Sequence, residues 1–226
     1  MQMEKKTVWI TGADRGVGFS LCEEFLRGGW RVFAGRFMPE WTAHDTPKEK
    51  YPEALEILPL DVGSDDSVRA AAKATAARCG HVDLLVSCAG ISGGDDPEKT
   101  RTIYNVNVAG ALRMVEAFLP LMQTGMKRLA FVSSEAGSVS VAHRDSGFAY
   151  TTSKTALNML VRRMFRTLYP MGYTFRLYHP GWVRSYMSGK KSTVGNFEPE
   201  ETAAVAYRQF TTDREAEDVL VMTDVS

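Results

Sequence analysis

A chain of 226 residues has room for one domain with a large core, and two independent domains would be cramped. Its make-up, 44% hydrophobic and 24% charged, excludes a disordered or fibrous protein, and no apolar run approaches the ~18 residues of a membrane span. Lysine plus arginine and aspartate plus glutamate balance at 27 each, so charge gives no general reason to expect nucleic acid or an anionic membrane as partner. The three cysteines, Cys22, Cys79 and Cys88, fit a reducing compartment better than a disulfide framework, and the N-terminus has no apolar signal core. The expected location is cytoplasmic.

Apolar, β-branched runs recur at Thr7–Ile10, Arg31–Ala34, Glu56–Leu60, Val82–Ser87, Arg128–Ser133, Thr174–Tyr178 and Asp218–Met222. Each has the make-up of a strand buried on both faces. Helical patterns lie between them. Val17, Leu21, Phe25 and Leu26 mark one face of the first; the segment around Val68–Arg78 is alanine-rich and follows GSDDS, a run of N-cap residues. Longer helical patterns cover 97–123, 150–168 and 199–210. This alternation predicts a single α/β domain over 1–226: a doubly wound, Rossmann-type fold with a mainly parallel central sheet and helices on both faces. The stretch 38–52 reads as a loop inserted between the second and third strands, and Ser185–Pro199 as a second loop.

Gly12, Gly16 and Gly18 fall where the first strand turns into the first helix. Glycine there lets a phosphate approach backbone N–H groups at a helix N-terminus, where the dipole also favours negative charge. A glycine triplet alone is a weak signal; its position after the first strand strengthens it.

TGADRGVG, with its Thr-Gly-x-x-x-Gly-x-Gly spacing, resembles the glycine motif of the short-chain dehydrogenase/reductase family. Further landmarks of that family follow in order: LDV at 60–62, NVNVAG at 105–110, FVSSEAG at 131–137, YTTSK at 150–154 and HPGWVRS at 179–185. The resemblance spans residues 7 to about 187 and implies a catalytic set of Asn107, Ser134, Tyr150 and Lys154. It implies Tyr150 as the acid/base, Ser134 on the substrate oxygen, Lys154 on the nicotinamide ribose and Asn107 holding a water that links Lys154 to solvent. The i,i+4 spacing puts Tyr150 and Lys154 on one helix face, where an ammonium lowers the phenol pKa from its ordinary ~10. The implied cofactor site comprises Gly12, Asp14, Arg15, Gly16, Val17 and Gly18 in the turn, with Arg36, Asp61, Val62, Cys88, Ala89 and Gly90. Pro180, Gly181, Val183 and Ser185 complete it, together with Tyr150 and Lys154.

NAD-preferring relatives carry an acidic residue at the end of the second strand, and NADP sites a basic one. Here Gly35 occupies the expected acidic position, Arg36 follows, and Arg15 is the second basic residue, so NADP(H) is expected over NAD(H). The leading expectation is an NADP(H)-dependent carbonyl reductase or alcohol dehydrogenase. Its rivals are a sensor or scaffold that binds NADP(H) with little turnover, and a redox-neutral epimerase or dehydratase.

The sequence also departs from the family. Cys88 stands where an asparagine is usual, and reads as a small buried residue rather than a redox thiol. The usual Gly-Gly C-terminal ending is absent, which points away from a tetramer toward a homodimer or monomer. Leu112, Val115, Phe118, Leu157, Leu160 and Met164 fit either packing on the sheet or a face between copies. The loop 185–198 is a short substrate lid. Ala136, His143, Phe148, Trp182, Tyr186 and Met187 are candidates for lining a pocket for a small carbonyl or alcohol, and His143, Arg144 and Arg184 read as solvent-facing. No metal-ligand spacing is present: His44, His81, His143 and His179 are scattered, with His81 and His179 read as structural.

Overall fold

The computed structural model describes residues 5–141, 145–187 and 189–225. Strands β1 (Thr7–Ile10), β2 (Arg31–Arg36), β3 (Leu55–Pro59), β4 (Leu84–Ser87), β5 (Arg128–Val132), β6 (Thr174–His179) and β7 (Met222–Asp224) form one sheet. Its order is β3-β2-β1-β4-β5-β6-β7 and every neighbouring pair is parallel. The strand order reverses between β1 and β4, which opens a crevice at the carboxyl ends of these two strands.

Parallel neighbours require crossovers, and helices cover both faces. Helices α1 (Gly16–Arg27) and α7 (Pro199–Thr211) pack one face, where Leu21, Phe25, Ala203 and Phe210 bury against Val8, Ile10, Val32 and Ala34. On the other face, α3 (Asp65–Ala76), α5 (Gly110–Phe118) and α6 (Phe148–Leu168) cover Trp9, Phe33, Leu85, Leu129 and Phe131. Successive residues of β1 therefore serve opposite cores, which is why an uninterrupted apolar run is needed there. Each large side chain fully buried in this way contributes about 1.5–3 kcal/mol. Val115, Phe118, Leu157 and Met164 are buried in the second core, and Leu112 and Leu160 pack against it while remaining partly exposed.

Several expectations shift in detail. The inserted stretch 38–52 is not all loop: α2 (Asp45–Lys50) lies within it. The pattern at 97–123 is not one helix. After α4 (Pro97–Tyr104) comes a π-helical turn, Asn105–Ala109, then α5, and a 3₁₀ turn at Leu119–Leu121 containing Pro120. The π turn carries buried Asn107, whose side chain is tied to another loop, and Gly110, where a Cβ would lie 2.9 Å from Val62 Cγ2. Proline then ends the regular helix because it lacks the N–H.

The last strand starts later than the apolar run Asp218–Met222 suggests. Arg128 and Arg176, fully buried within β5 and β6, hold the chain that precedes it. Arg176 grips Glu217 with two bonds of 2.6 Å, and its guanidinium also takes the Gln209 and Thr212 carbonyls. Arg128 bonds the Phe210 carbonyl at 2.9 Å and the Asp213 carboxylate at 2.6 Å. The two guanidiniums thus satisfy carbonyls at the C-terminus of α7, where the dipole favours cations. Only from Met222 is the chain free to pair with β6.

Candidate active site

The glycine turn is built for close approach. Gly12 has φ +62°, and a Cβ there would lie 2.7 Å from Ala89 Cα, so the turn packs directly on the β4 exit. A Cβ at Gly18 would fall inside the van der Waals surface of the Gly12 carbonyl oxygen. These contacts leave the first-turn N–H groups of α1 open at the crevice, a cradle that fits a pyrophosphate. Substituting Gly18→Ala forces backbone apart at a cost of about 1–3 kcal/mol. Nucleotide affinity measured by calorimetry is expected to fall about ten- to hundredfold.

Neighbouring residues fix the cradle. Thr11, fully buried, accepts the Cys88 and Ala89 N–H groups on its hydroxyl at 3.0 and 2.9 Å. This bond joins the β1 and β4 exits without an asparagine at 88. Burial pushes the Cys88 thiol up to about 12, against the opposing pull of Lys154, so it is no reactive thiolate. Asp14 accepts the Phe37 and Met38 N–H groups at 3.2 and 2.8 Å. It shapes the loop after β2 from inside, because its carboxylate is buried there. Asp61 Oδ1 accepts the Gly63 N–H at 2.8 Å, and Val62 packs beneath Gly110.

Position 35 is corrected. A Cβ at Gly35 would lie 2.7 Å from both Leu60 and the Trp9 ring, so that residue points into the core and cannot carry a ribose ligand. Arg36 ends the strand. Among the described residues the guanidiniums of Arg15 and Arg36 make no hydrogen bond or ion pair; Arg15 stacks on aromatic rings instead.

At the β5 end, buried Lys154 donates to the Val132 carbonyl at 3.1 Å, and its Nζ lies 5.8 Å from the Tyr150 ring centre. Burial pulls the ammonium down to about 8, partly offset by Cys88. The Asp95 carboxylate accepts the Ala149 N–H at 2.9 Å and fixes the start of α6, hence the placement of Tyr150. Asn107 bonds both backbone groups of Ile91, at 2.8 and 2.9 Å, and Ser153 Oγ at 3.0 Å. Its amide therefore clamps the β4 exit. Asn107 Oδ1 and Lys154 Nζ both flank Gly90, 3.5 and 3.6 Å from where its Cβ would be.

Ser134 lies two residues beyond Val132 and is buried. Its hydroxyl donates to Glu135 Oε2 at 2.6 Å and accepts the Ala136 N–H at 3.1 Å. Glu135, absent from the residues expected in the site, also sits 3.3 Å from His179 Nε2. Nothing in its spacing signals this role; the contact arises because β5 and β6 end side by side.

The substrate candidates divide. Phe148, Trp182 and Met187 are exposed. Ala136 is buried in the 3₁₀ turn that Ser134 caps, so it does not line open space. Tyr186 packs on Trp41. His143 and Arg144 lie outside the described residues. Arg184 does not face solvent freely: it bonds Glu198 and the Gly195 carbonyl, and with the Val183–Phe197 bridge it ties the ends of the 185–198 loop together. Gly181 takes φ +75° beside Phe197, Pro180 accepts from Thr202, and the Ser185 carbonyl accepts the Ser192 N–H. Ser185 and Tyr186 come within 3.9 Å of where a Cβ on Gly16 would be, which sets the start of the 185–198 loop beside the glycine turn. Among the described residues no helix is long and apolar enough to cross a membrane and no group of three His, Cys, Asp or Glu could hold a metal.

Comparison with known proteins agrees with this architecture. A family model described as short chain dehydrogenase matches residues 6–194. An uncharacterized oxidoreductase of Schizosaccharomyces pombe is 30% identical over 233 residues, covering 99% of this chain and 92% of its own. The C-signal protein of Myxococcus xanthus is 40% identical over 122 residues, 51% of this chain and 74% of that protein. The NADPH-bound carbonyl reductase from chicken fatty liver superposes with a TM-score of 0.85 at 25% identity, covering 99% of this chain and 97% of that one. With its doubly wound sheet and its glycine turn at the strand-order reversal, the chain belongs to the short-chain dehydrogenase family of oxidoreductases.

Proposed function

We propose that the protein is an NADP(H)-dependent oxidoreductase that interconverts a carbonyl and an alcohol, with Tyr150 as acid/base. The observation that carries this reading is the Tyr150–Lys154 pair on α6, anchored to the β5 end through the carbonyl of Val132, two residues before Ser134. A nicotinamide bound at the strand ends would supply the hydride. Tyr150 gives its phenolic proton to the alkoxide oxygen that forms on the former carbonyl. The Lys154 ammonium favours the phenolate left behind, and Ser134, turned from Glu135, donates to the same substrate oxygen. Exposed apolar side chains at Val139, Phe148, Trp182 and Met187 favour an apolar ketone, aldehyde or quinone-like substrate.

Arg15 and Arg36 are the groups for the 2′-phosphate, and the NADPH bound to the chicken carbonyl reductase supports the same choice. A charge-assisted bond contributes about 1.5–3 kcal/mol, so Arg15→Ala and Arg36→Ala should each weaken NADPH binding by roughly ten- to hundredfold and leave NADH unchanged. NADH binding that falls equally in both variants would remove the preference.

The Ser134–Glu135 bond favours a second reading, in which the protein binds NADP(H) with little turnover. NADPH oxidation across a panel of carbonyls, run beside NADPH binding by fluorescence, separates the two. Binding without oxidation on every compound selects the second.

A further inference from the structure

The insertion between β2 and β3 is fastened to the glycine turn at two points. Asp14 holds the Phe37 and Met38 N–H groups, and His44, fully buried, bonds the Ala13 carbonyl at 2.9 Å through Nε2. Trp41 lies between these fastenings. Its ring centre stands 4.8 Å from the Arg15 guanidinium carbon, and the Tyr186 ring centre 5.8 Å from the same carbon. The two rings meet edge to face at 5.3 Å. Arg15 is thus held by one ring from the insertion and one from the lid, with its N–H groups uncommitted among the described residues.

We propose that Trp41 is a specificity-determining positioning residue, which holds Arg15 ready for the 2′-phosphate of the nucleotide while Tyr186 couples that event to the lid. The proposal rests on the NADP(H) reading above. An arginine side chain carries about 2 kcal/mol of rotamer entropy, and a guanidinium already restrained against a ring loses less of it on binding. Attraction between the cation and the indole face keeps it there. Because the phosphate and the lid share one guanidinium, coupling runs both ways: phosphate on Arg15 steadies the lid, and a seated lid tightens the phosphate.

Adenosine 2′,5′-bisphosphate and adenosine 5′-monophosphate, which differ only by the 2′-phosphate, test this without turnover, since neither carries a nicotinamide. The wild type is expected to bind the 2′,5′-bisphosphate more tightly than the monophosphate. Trp41→Ala should lose about tenfold for the 2′,5′-bisphosphate and nothing for the monophosphate, while Trp41→Phe, which keeps a ring, retains most of the difference. Trypsin cleavage after the exposed lid lysines Lys190 and Lys191 should be slowed by the 2′,5′-bisphosphate in the wild type and in Trp41→Phe, but not in Trp41→Ala. Tyr186→Ala repeats the measurement from the lid side, should Trp41→Ala melt early. If the wild type binds both nucleotides equally, the NADP(H) reading falls and this proposal with it. If the wild type discriminates and both Trp41→Ala and Tyr186→Ala discriminate equally well, the NADP(H) reading stands and the aromatic clamp is overturned.

Discussion

Replacing Tyr150 with phenylalanine is expected to lower kcat for carbonyl reduction by about 10²–10⁴-fold while leaving NADPH affinity close to the wild-type value. The phenyl ring of the variant would keep the packing of α6 and the neighbourhood of Lys154, so the change removes the proton donor and little else. Activity should also depend on pH through Lys154. Burial pulls that ammonium down to about 8, still above neutrality, so at pH 7 it is charged and able to favour the phenolate. As pH rises through about 8 the charge is lost, and kcat/KM for reduction should fall along a basic limb centred there. A Tyr150→Phe enzyme that reduces its carbonyl at the wild-type rate would remove Tyr150 from the mechanism.

The second large effect lies on the far side of the molecule from the chemistry. Glu217→Gln should destabilise the fold by about 3 kcal/mol or more, because it leaves Arg128 and Arg176 buried side by side without their shared carboxylate. For a chain of this size that corresponds to a fall in Tm of roughly 6–12 °C. Asp213→Asn should cost no more than about 1 kcal/mol, since that carboxylate is 87% exposed. The two variants differ by one carboxylate each, so calorimetry on the pair isolates the effect of burial. The pH dependence has a definite sign. Burial raises the Glu217 carboxyl, but hydrogen bonds from Arg176 and from the Arg214 N–H outweigh it and hold the group below the ordinary carboxylate range. Its stabilising contribution is complete above the unfolded value of about 4.3 and is lost as pH falls through the lower folded value. Wild-type Tm should therefore drop more steeply below about pH 4 than that of Glu217→Gln.

Much of this architecture was legible because it depends on periodicity. Unbroken apolar runs such as Thr7–Ile10 and alternation with 3.6-residue patterns dictate a parallel, two-faced sheet, and the observed strands β1 to β6 fall within a residue or two of those runs. Motif spacing likewise gathers Gly12, Gly18, Ser134, Tyr150 and Lys154 at the carboxyl ends of strands, since each landmark sits just past an apolar run or at a helix start. Partnerships between segments were not legible. Arg128 and Arg176 look like interruptions of strands until α7 and the chain after it fold over them. Nothing around Asp14 in the sequence signals its hold on the loop after β2, and Gly35 looks like a ribose position until β2 packs it against Trp9.

The sequence by itself determined the fold class, the family and the order of the landmark residues, because these follow from local periodicity and fixed spacing along one strand or one helix. Only the tertiary structure decided that Thr11 braces the β4 exit, that Glu135 holds the Ser134 hydroxyl, and that Trp41 and Tyr186 close on Arg15. Trp41 and Tyr186 stand 145 positions apart (186 minus 41), and no pattern within a segment encodes their meeting. It exists because the crossovers return every strand end to one edge of the sheet, where side chains distant in sequence become neighbours.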